Sequence, residues 1–318
     1  MADTHAAEPP LPWQEGLGAA SRHLIPPEVL RALSKRSDLS GALQLAIHVA
    51  LIGAGATAIW AALGSWLVVP AMVAQGIAIG ALFTAMHECV HYTAFASRRA
   101  NEVVAWIAGA AQMFDAAFYR QYHLAHHRWC QDPAHDPELR APPPTSLAGY
   151  LLRVTGALFW RNRVRQSWSL ALGRFDGMDY VGHAHRRGVV RSVRAMLALY
   201  ACVAVASVVA GAPEALIYWV VPAVLGQPFL VAYRLCEHTG CAAEPNPMVN
   251  TRTTLASWPV RLLMWNMPFH AEHHLYPSIP FHALPRAHRA LRPHLRCLAN
   301  GYIETSLAIA RGAPAWLA

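Results

Sequence analysis

The sequence predicts an all-α integral membrane protein: four transmembrane helices in two hairpins, with a cytoplasmic helical cap that holds a di-metal site. Three observations carry this prediction: a shortage of charge, two long uncharged runs, and histidines clustered where those runs end. Only 14% of the 318 residues are charged and 55% are apolar, whereas a typical soluble domain is roughly 25% charged. No Asp, Glu, Lys or Arg occurs in 41–86, and Glu214 alone interrupts 195–233. Each run is about twice the ~20 residues that a spanning helix requires, so each reads as a helical hairpin.

The first run divides near "LGSW" at 63–66, giving spans over about 42–62 and 66–86. The second divides at "GAPE", 211–214, giving spans over about 194–211 and 215–235. The net charge of +8 is a topology signal. Of the 26 Lys and Arg, four lie in 22–36, fourteen in 98–194 and eight from Arg234 onward, with none in a hairpin tip. By the positive-inside rule both tips face away from the cytoplasm, and both termini lie inside, as expected for a bacterial inner-membrane protein. No interleaving of aromatic and basic residues supports nucleic-acid binding.

Residues 1–40 lack the apolar core of a signal peptide, contain "EPPLP", and read as a loose cytoplasmic leader. The remainder, 41–318, reads as one domain whose cap comprises 87–193 and 236–318. The apolar stretch 103–118, "VVAWIAGAAQMFDAAF", contains Asp115 and is short for a crossing, so it reads as an interfacial or re-entrant segment. The six cysteines form no C-x-x-C pair and mostly fall on the reducing side, so structural disulfides are not expected.

The pentapeptide "HECVH" at 87–91 fits two chemistries. As H-E-x-x-H it is a zinc-peptidase signature, with Glu88 as general base. As H-x-x-x-H it merely sets His87 and His91 on one helix face. Two further clusters, "HLAHH" at 123–127 and "HAEHH" at 270–274, place histidines at i, i+3 and i+4, again on one face. His87 and His91 follow the second span, His238 in "RLCEHTG" ends the fourth, and the other two clusters lie in the cytoplasmic segments. All can meet below the inner leaflet.

The candidate ligands are therefore His87, His91, His123, His126, His127, His238, His270, His273 and His274. A catalytic zinc takes three protein ligands and an open position, so nine imidazoles suit two metals better than one. Imidazole serves iron, copper and zinc alike, and composition does not name the metal. Glu88, Asp132, Asp136, Glu237 and Glu272 are candidates to accept hydrogen bonds from ligating rings, fixing their orientation. His135 is a weaker candidate for the same role. The remaining histidines, including His48 and His288, read as surface or packing residues.

The order "HECVH", "HLAHH", "HAEHH" around two membrane hairpins resembles the integral-membrane fatty acid desaturases and the related hydroxylases and ketolases. The stretches "HHRWCQDPAHDPE", "EHTG" and "WNMPFHAEHHLYPSIPFHALP" are similar to the bacterial desaturase-like branch. The resemblance implies a non-haem di-iron centre of two iron ions held by the nine histidines, activating O2 to abstract hydrogen from an unactivated methylene. It places Asn266, four residues before His270, where it could face the metals through water. It also implies a lipid or amphiphilic substrate reaching the site from the bilayer.

A second hydrogen abstraction gives an alkene, whereas oxygen rebound gives an alcohol, so desaturase, hydroxylase and ketolase all remain open. A membrane metallopeptidase using Glu88 is the reading from a different class. No H-P-G-G motif, flavin fingerprint or iron–sulfur cysteine set is present. Electrons are thus expected from another protein, such as a ferredoxin with its reductase. "LYPSIPFHALP" at 275–285 reads as a rigid turn along the substrate path. Arg286, Arg289, Arg292 and Arg296 are expected to meet a lipid headgroup or an acidic donor, or simply solvent.

Overall fold

The computed structural model describes residues 24–312. Most of the leader expected over 1–40 lies outside that range. Its described part is anchored: Ile25, just before α1 (Pro27–Leu33), and Leu33, the last residue of that helix, are buried against Met267, Phe269 and Ile279 of the C-terminal segment.

Among the described residues, four helices are long and apolar enough to cross a membrane. The first, α2 (Asp38–Ala62), starts where Ser37 accepts from the Ser40 amide and spans about 37 Å. The second is α3 (Val68–Val90), with His91 as its C-cap. Exposed Leu43, Ile47 and Trp60 of α2, and Trp66 in the turn between α2 and α3, suit lipid contact. The stretch 103–118 doubles back. Helix α4 (Arg98–Ala110) stops short, Met113 takes a left-handed φ of 56°, and Asp115 caps α5 (Ala116–Trp129) by accepting from Phe118 N at 2.8 Å. Asp115 also accepts from Ser192 Oγ.

Two helices follow, α6 (Leu147–Val154) and α7 (Ala157–Ala171). The third spanning helix is α8 (His183–Ala210), closed by Gly211 in the left-handed region at φ 62°. One π-helical turn, Leu216–Val220, leads into α9 (Val221–His238), and together they make the fourth span.

Packing departs from two simple hairpins. Helix α9 lies along α3, where Gly76 meets Gly226: a Cβ on Gly226 would lie 2.0 Å from the Gly76 carbonyl carbon. Only glycine allows backbones so close, the small-residue solution to helix contact without a hydrophobic drive. Helix α8, by contrast, stands off from α9 across an apolar cavity of about 420 Å³ lined by Tyr200, Val203, Trp219 and Val220. The second span is the hub, with α2 and α9 against it.

The C-terminal part of the chain after the fourth span is built from short pieces. These are α10 (Pro247–Asn250), α11 (Trp258–Leu263), α12 (His270–Leu275), α13 (Leu284–Leu291) and α14 (Tyr302–Ala310). A parallel pair joins β1 (Thr253–Thr254) to β2 (Leu298–Ala299), tying the strand before α11 to the one before α14. The main core surrounds the base of α3, with Phe83, Met86, Phe118, Tyr119 and Trp265 buried together. All six cysteines are free, and the thiols of Cys241 and Cys297 lie 2.7 Å apart.

Candidate metal centre

Each histidine cluster sits where a helix ends or begins over this core. His87 occupies the last turn of α3 and His91 caps it; Tyr92 then takes φ 59°, and Thr93 turns its hydroxyl back to Glu88 O at 3.0 Å. His123, His126 and His127 share the last turns of α5, and His238 is the final residue of α9. Box three forms α12 itself, preceded by a strained corner. Trp265 and Asn266 both have left-handed φ, 51° and 55°, an uncommon state for non-glycine residues. Trp265 is held there by complete burial and by donating from Nε1 to His48 Nδ1 at 3.1 Å. His48 bonds Ala78 O through its other nitrogen, so this histidine is a spacer between α2, α3 and box three.

The structure brings all nine candidate histidines together. Ring centroids are 4.2 Å apart for His87–His123, 4.6 Å for His87–His273, 4.7 Å for His91–His127 and 4.1 Å for His127–His274. His238 closes the far side, at 5.0 Å from His270 and 4.8 Å from His274. The nitrogens sort into two groups. In one, donor atoms of His87, His91, His123, His127 and His273 all lie within 4.8 Å of one another; in the other, so do those of His126, Cys130, His238 and His274. His270 falls outside both groups at that spacing, yet its Nε2 is 3.1 Å from His238 Nε2.

These contacts fit metal coordination. The Nε2 atoms of His123 and His127 lie 3.0 Å apart, those of His127 and His273 3.1 Å, and those of His126 and His238 3.2 Å. Two nitrogens about 2.1 Å from a common ion and at right angles stand about 3.0 Å apart. Both ring nitrogens of His87, with His91 Nε2 and His274 Nε2, are buried without a hydrogen-bond partner. Buried polar atoms rarely go unpaired unless something else meets them. The residues present therefore fit metal ions.

The ionisation of the cluster sets one ring apart. Burial first, and then the charge of neighbouring imidazoles, hold His91, His123, His127, His270 and His274 well below the usual imidazole range, and His273 falls to about 3. Neutral rings of this kind are the form that binds a metal. His126 goes the other way. Burial opposes its charge, but the carboxylates of Glu138 and Asp136 more than offset this and lift it to about 9.

The candidate supporting carboxylates separate in space. Asp136 accepts from His126 Nδ1 at 3.0 and 3.1 Å, and also from the Gln131 and Glu138 amides. Glu237 lies 3.8 Å from His270 Nδ1. Asp132 is not at the cluster: it pairs with His135 at 2.8 Å on the surface, which removes both from the ligating rings. Glu272 is fully buried but accepts from His288 Nδ1 and Thr253 Oγ1, so it anchors α12 to α13 and β1 and does not touch a candidate ligand ring through a hydrogen bond. His288, read from sequence as a packing residue, is its partner. Asn266 donates to Phe281 O at 3.1 Å.

Glu88 decides the fate of the peptidase motif. Its Oε1 accepts from the Phe281 amide at 2.9 Å, binding α3 to the proline-rich segment 275–285, and the residue is completely buried. It is a brace between box one and the segment after box three. The same bond makes 275–285 a packed wall, with Ile279 and Ala283 fully buried.

Sequence reasoning missed Cys130 and Glu138. Cys130 Sγ lies 3.5 Å from His238 Nδ1, which is itself 3.2 Å from Asn250 O. Its one signal in the sequence is its place four residues after His126. Glu138 has no motif; it joins the site by pairing with Arg234 at 3.1 Å.

Fold and site together define a helical protein with four candidate membrane spans and a polyhistidine cluster that could hold metal ions. The fatty acid desaturase family profile matches residues 26–305, and the chain belongs to that family. No curated relative matches it.

Proposed function

We propose that this protein is an O2-dependent, non-haem di-iron desaturase that introduces a double bond into an acyl chain, with its site on the cytoplasmic face. The observation that carries this reading is the division of the buried ring nitrogens into two adjacent groups, each completed by a residue of box three, in a chain of the desaturase family. Two irons held there would supply O2 activation and hydrogen abstraction.

The chain's own residues do the rest. His87, His91, His123, His127 and His273 would hold one ion, and His126, His238, His270 and His274 the other. Asp136 and the Asn250 carbonyl set the ring orientation of His126 and His238 by accepting at Nδ1, leaving Nε2 to face the site. Trp265, Phe83 and Tyr119 seal the base of the cluster from water. An external donor would dock beside α13. Arg286, Arg289, Arg292 and Arg296 are all exposed there, while His288 of the same helix reaches inward to Glu272 of α12.

Comparative lipid mass spectrometry tests the reaction, using cells with the protein, without it, and with His127→Ala. Products lighter by two hydrogens, absent in the variant, support desaturation. Products heavier by one oxygen would assign the same site to hydroxylation, and no change in any lipid would defeat the reading. Purified protein should bind about two irons per chain. Without a reductase system it should complete at most about one turnover.

A further inference from the structure

A second cavity, of about 340 Å³, opens against the metal site, and both His126 and His238 form part of its wall. Its other walls carry Arg153 of α6, Arg163 of α7 and Arg234 of α9, facing Glu138. Asp136, also in the wall, is occupied by His126. Glu138 is occupied by Arg234 at 3.1 Å. No carboxylate remains for the other two arginines. Arg153 donates from Nη2 to the Ala141 and Pro142 carbonyls, which do not cancel its charge.

Arg163 is the more exposed energetically. Its Nε and Nη1 are buried with no hydrogen-bond partner, and its guanidinium rests on the Phe114 ring at 4.0 Å. Arg234 Nε is also without a partner. Burial lowers both Arg153 and Arg163, and the charge of Arg234 lowers them further, so the three cations share one field. An uncompensated buried cation is costly unless something anionic meets it. The apolar cavity between α8 and α9 offers no such arrangement.

We propose that this cavity receives an oxyanion head group, carboxylate or phosphate, of the substrate, with Arg163 as the principal contact and Arg153 and Arg234 completing the positive field. The proposal rests on the oxidative reading of the metal site and deepens it by naming the substrate class as an anionic amphiphile. Its head is held in the same cavity that exposes His126 and His238, so binding orients the attached chain relative to the metals. The volume is near the small end of the roughly 300–1,000 Å³ typical of ligand sites. It encloses a head group and a short length of chain, and a longer tail would extend out of it.

Calorimetric titration of the metal-free full chain in zwitterionic nanodiscs tests this with hexanoate, hexyl phosphate and hexan-1-ol. Leaving out the metal prevents an anion from binding simply as a metal ligand. At least one anion should bind about tenfold tighter than the alcohol, at one per chain, since hydrogen bonds to a charged group contribute about 1.5–3 kcal/mol. Which anion prevails tells a free acid from a phosphorylated carrier or lipid. Arg163→Gln should abolish the preference, Arg163→Lys should keep part of it, and Arg289→Gln on the outer face should leave it intact. Equal affinity for all three ligands, or a preference unmoved by both Arg163 variants, overturns the proposal. If Arg163→Gln does not fold, Arg163→Lys and Arg153→Gln decide: full retention of the preference in both overturns it. Iron content, measured separately, keeps the two readings apart. A chain with two irons and no anion preference sinks the pocket alone, and an Arg163-dependent preference in a chain that never loads iron sinks the oxidative reading alone.

Discussion

The two halves of the histidine cluster are built on opposite principles. The half formed by His87, His91, His123, His127 and His273 is all imidazole, with His87, His123 and His273 buried and the Nε2 atoms of His123 and His273 3.0 and 3.1 Å from His127 Nε2. The half formed by His126, His238 and His274 is tied to the surroundings: Asp136 holds His126, Asn250 faces His238, Cys130 stands beside it, and Glu138 and Arg234 lead into a polar cavity. Burial and the charge of neighbouring imidazoles keep His91, His123, His127 and His273 of the first set neutral and ready for metal. In the second set His126 carries a proton that metal must displace, whereas His274 is held neutral. The difference teaches that one site can combine a pre-set, insulated centre with one whose properties are open to its outer partners.

The harshest way to break this comparison is His273→Ala, which removes a donor shared closely by His87, His91 and His127. Metal should be lost from the insulated half and turnover should fall below about 0.1% of the unaltered protein, read by iron analysis and product formation. Retained turnover would show that the half is not catalytic. Next comes Asp136→Asn, which removes the negative charge facing His126 Nδ1 and leaves a single accepting oxygen there. Metal affinity of the wired half should drop about 10–100-fold in chelator competition, with the other half unchanged. An equal drop in both would mean that the halves are not independent.

A pH series sharpens the contrast. His126 is raised to about 9 in the folded chain, so between pH 7 and 9 metal must expel one proton there, and affinity should rise about tenfold per pH unit until the ring is neutral. The insulated half should be flat over that range. The same shift stabilises the metal-free fold fully below the unfolded value of about 6.5, and that stabilisation is lost as pH rises through about 9. The smallest effect is expected from Cys130→Ser. Burial, then the Asp136 charge, hold that thiol well above its ordinary range, so it stays protonated. Metal affinity should change less than about threefold; a larger loss together with a vanished thiolate absorption band would make Cys130 a ligand.

The spans and the boxes were legible because both are local. Charge-free runs mark the helices, and i, i+3, i+4 spacing puts three imidazoles on one turn without any knowledge of the fold. What lay between was harder for a physical reason: it depends on pairs far apart in the chain. Asp132 and Asp136 sit in the same "QDPAHDPE" and look equivalent, yet one caps a surface turn with His135 and the other reaches His126. Glu272 lies inside box three but faces His288, sixteen residues on. The motif at 87–91 hid that Glu88 holds Phe281. Gly76 and Gly226 gave no separate signal, although their contact decides which helix α9 packs against. The two-residue strands β1 and β2 are too short to show any alternation.

The placement of α12 sets a timetable for assembly. His273 belongs to one half and His274 to the other, and both emerge from the ribosome after every membrane span has been made. Neither pocket can close while the chain is still being inserted. On the proposed function, metal delivery belongs to the finished, inserted polypeptide, and a chain interrupted before residue 270 would reach the bilayer with its first two boxes and nothing to complete them.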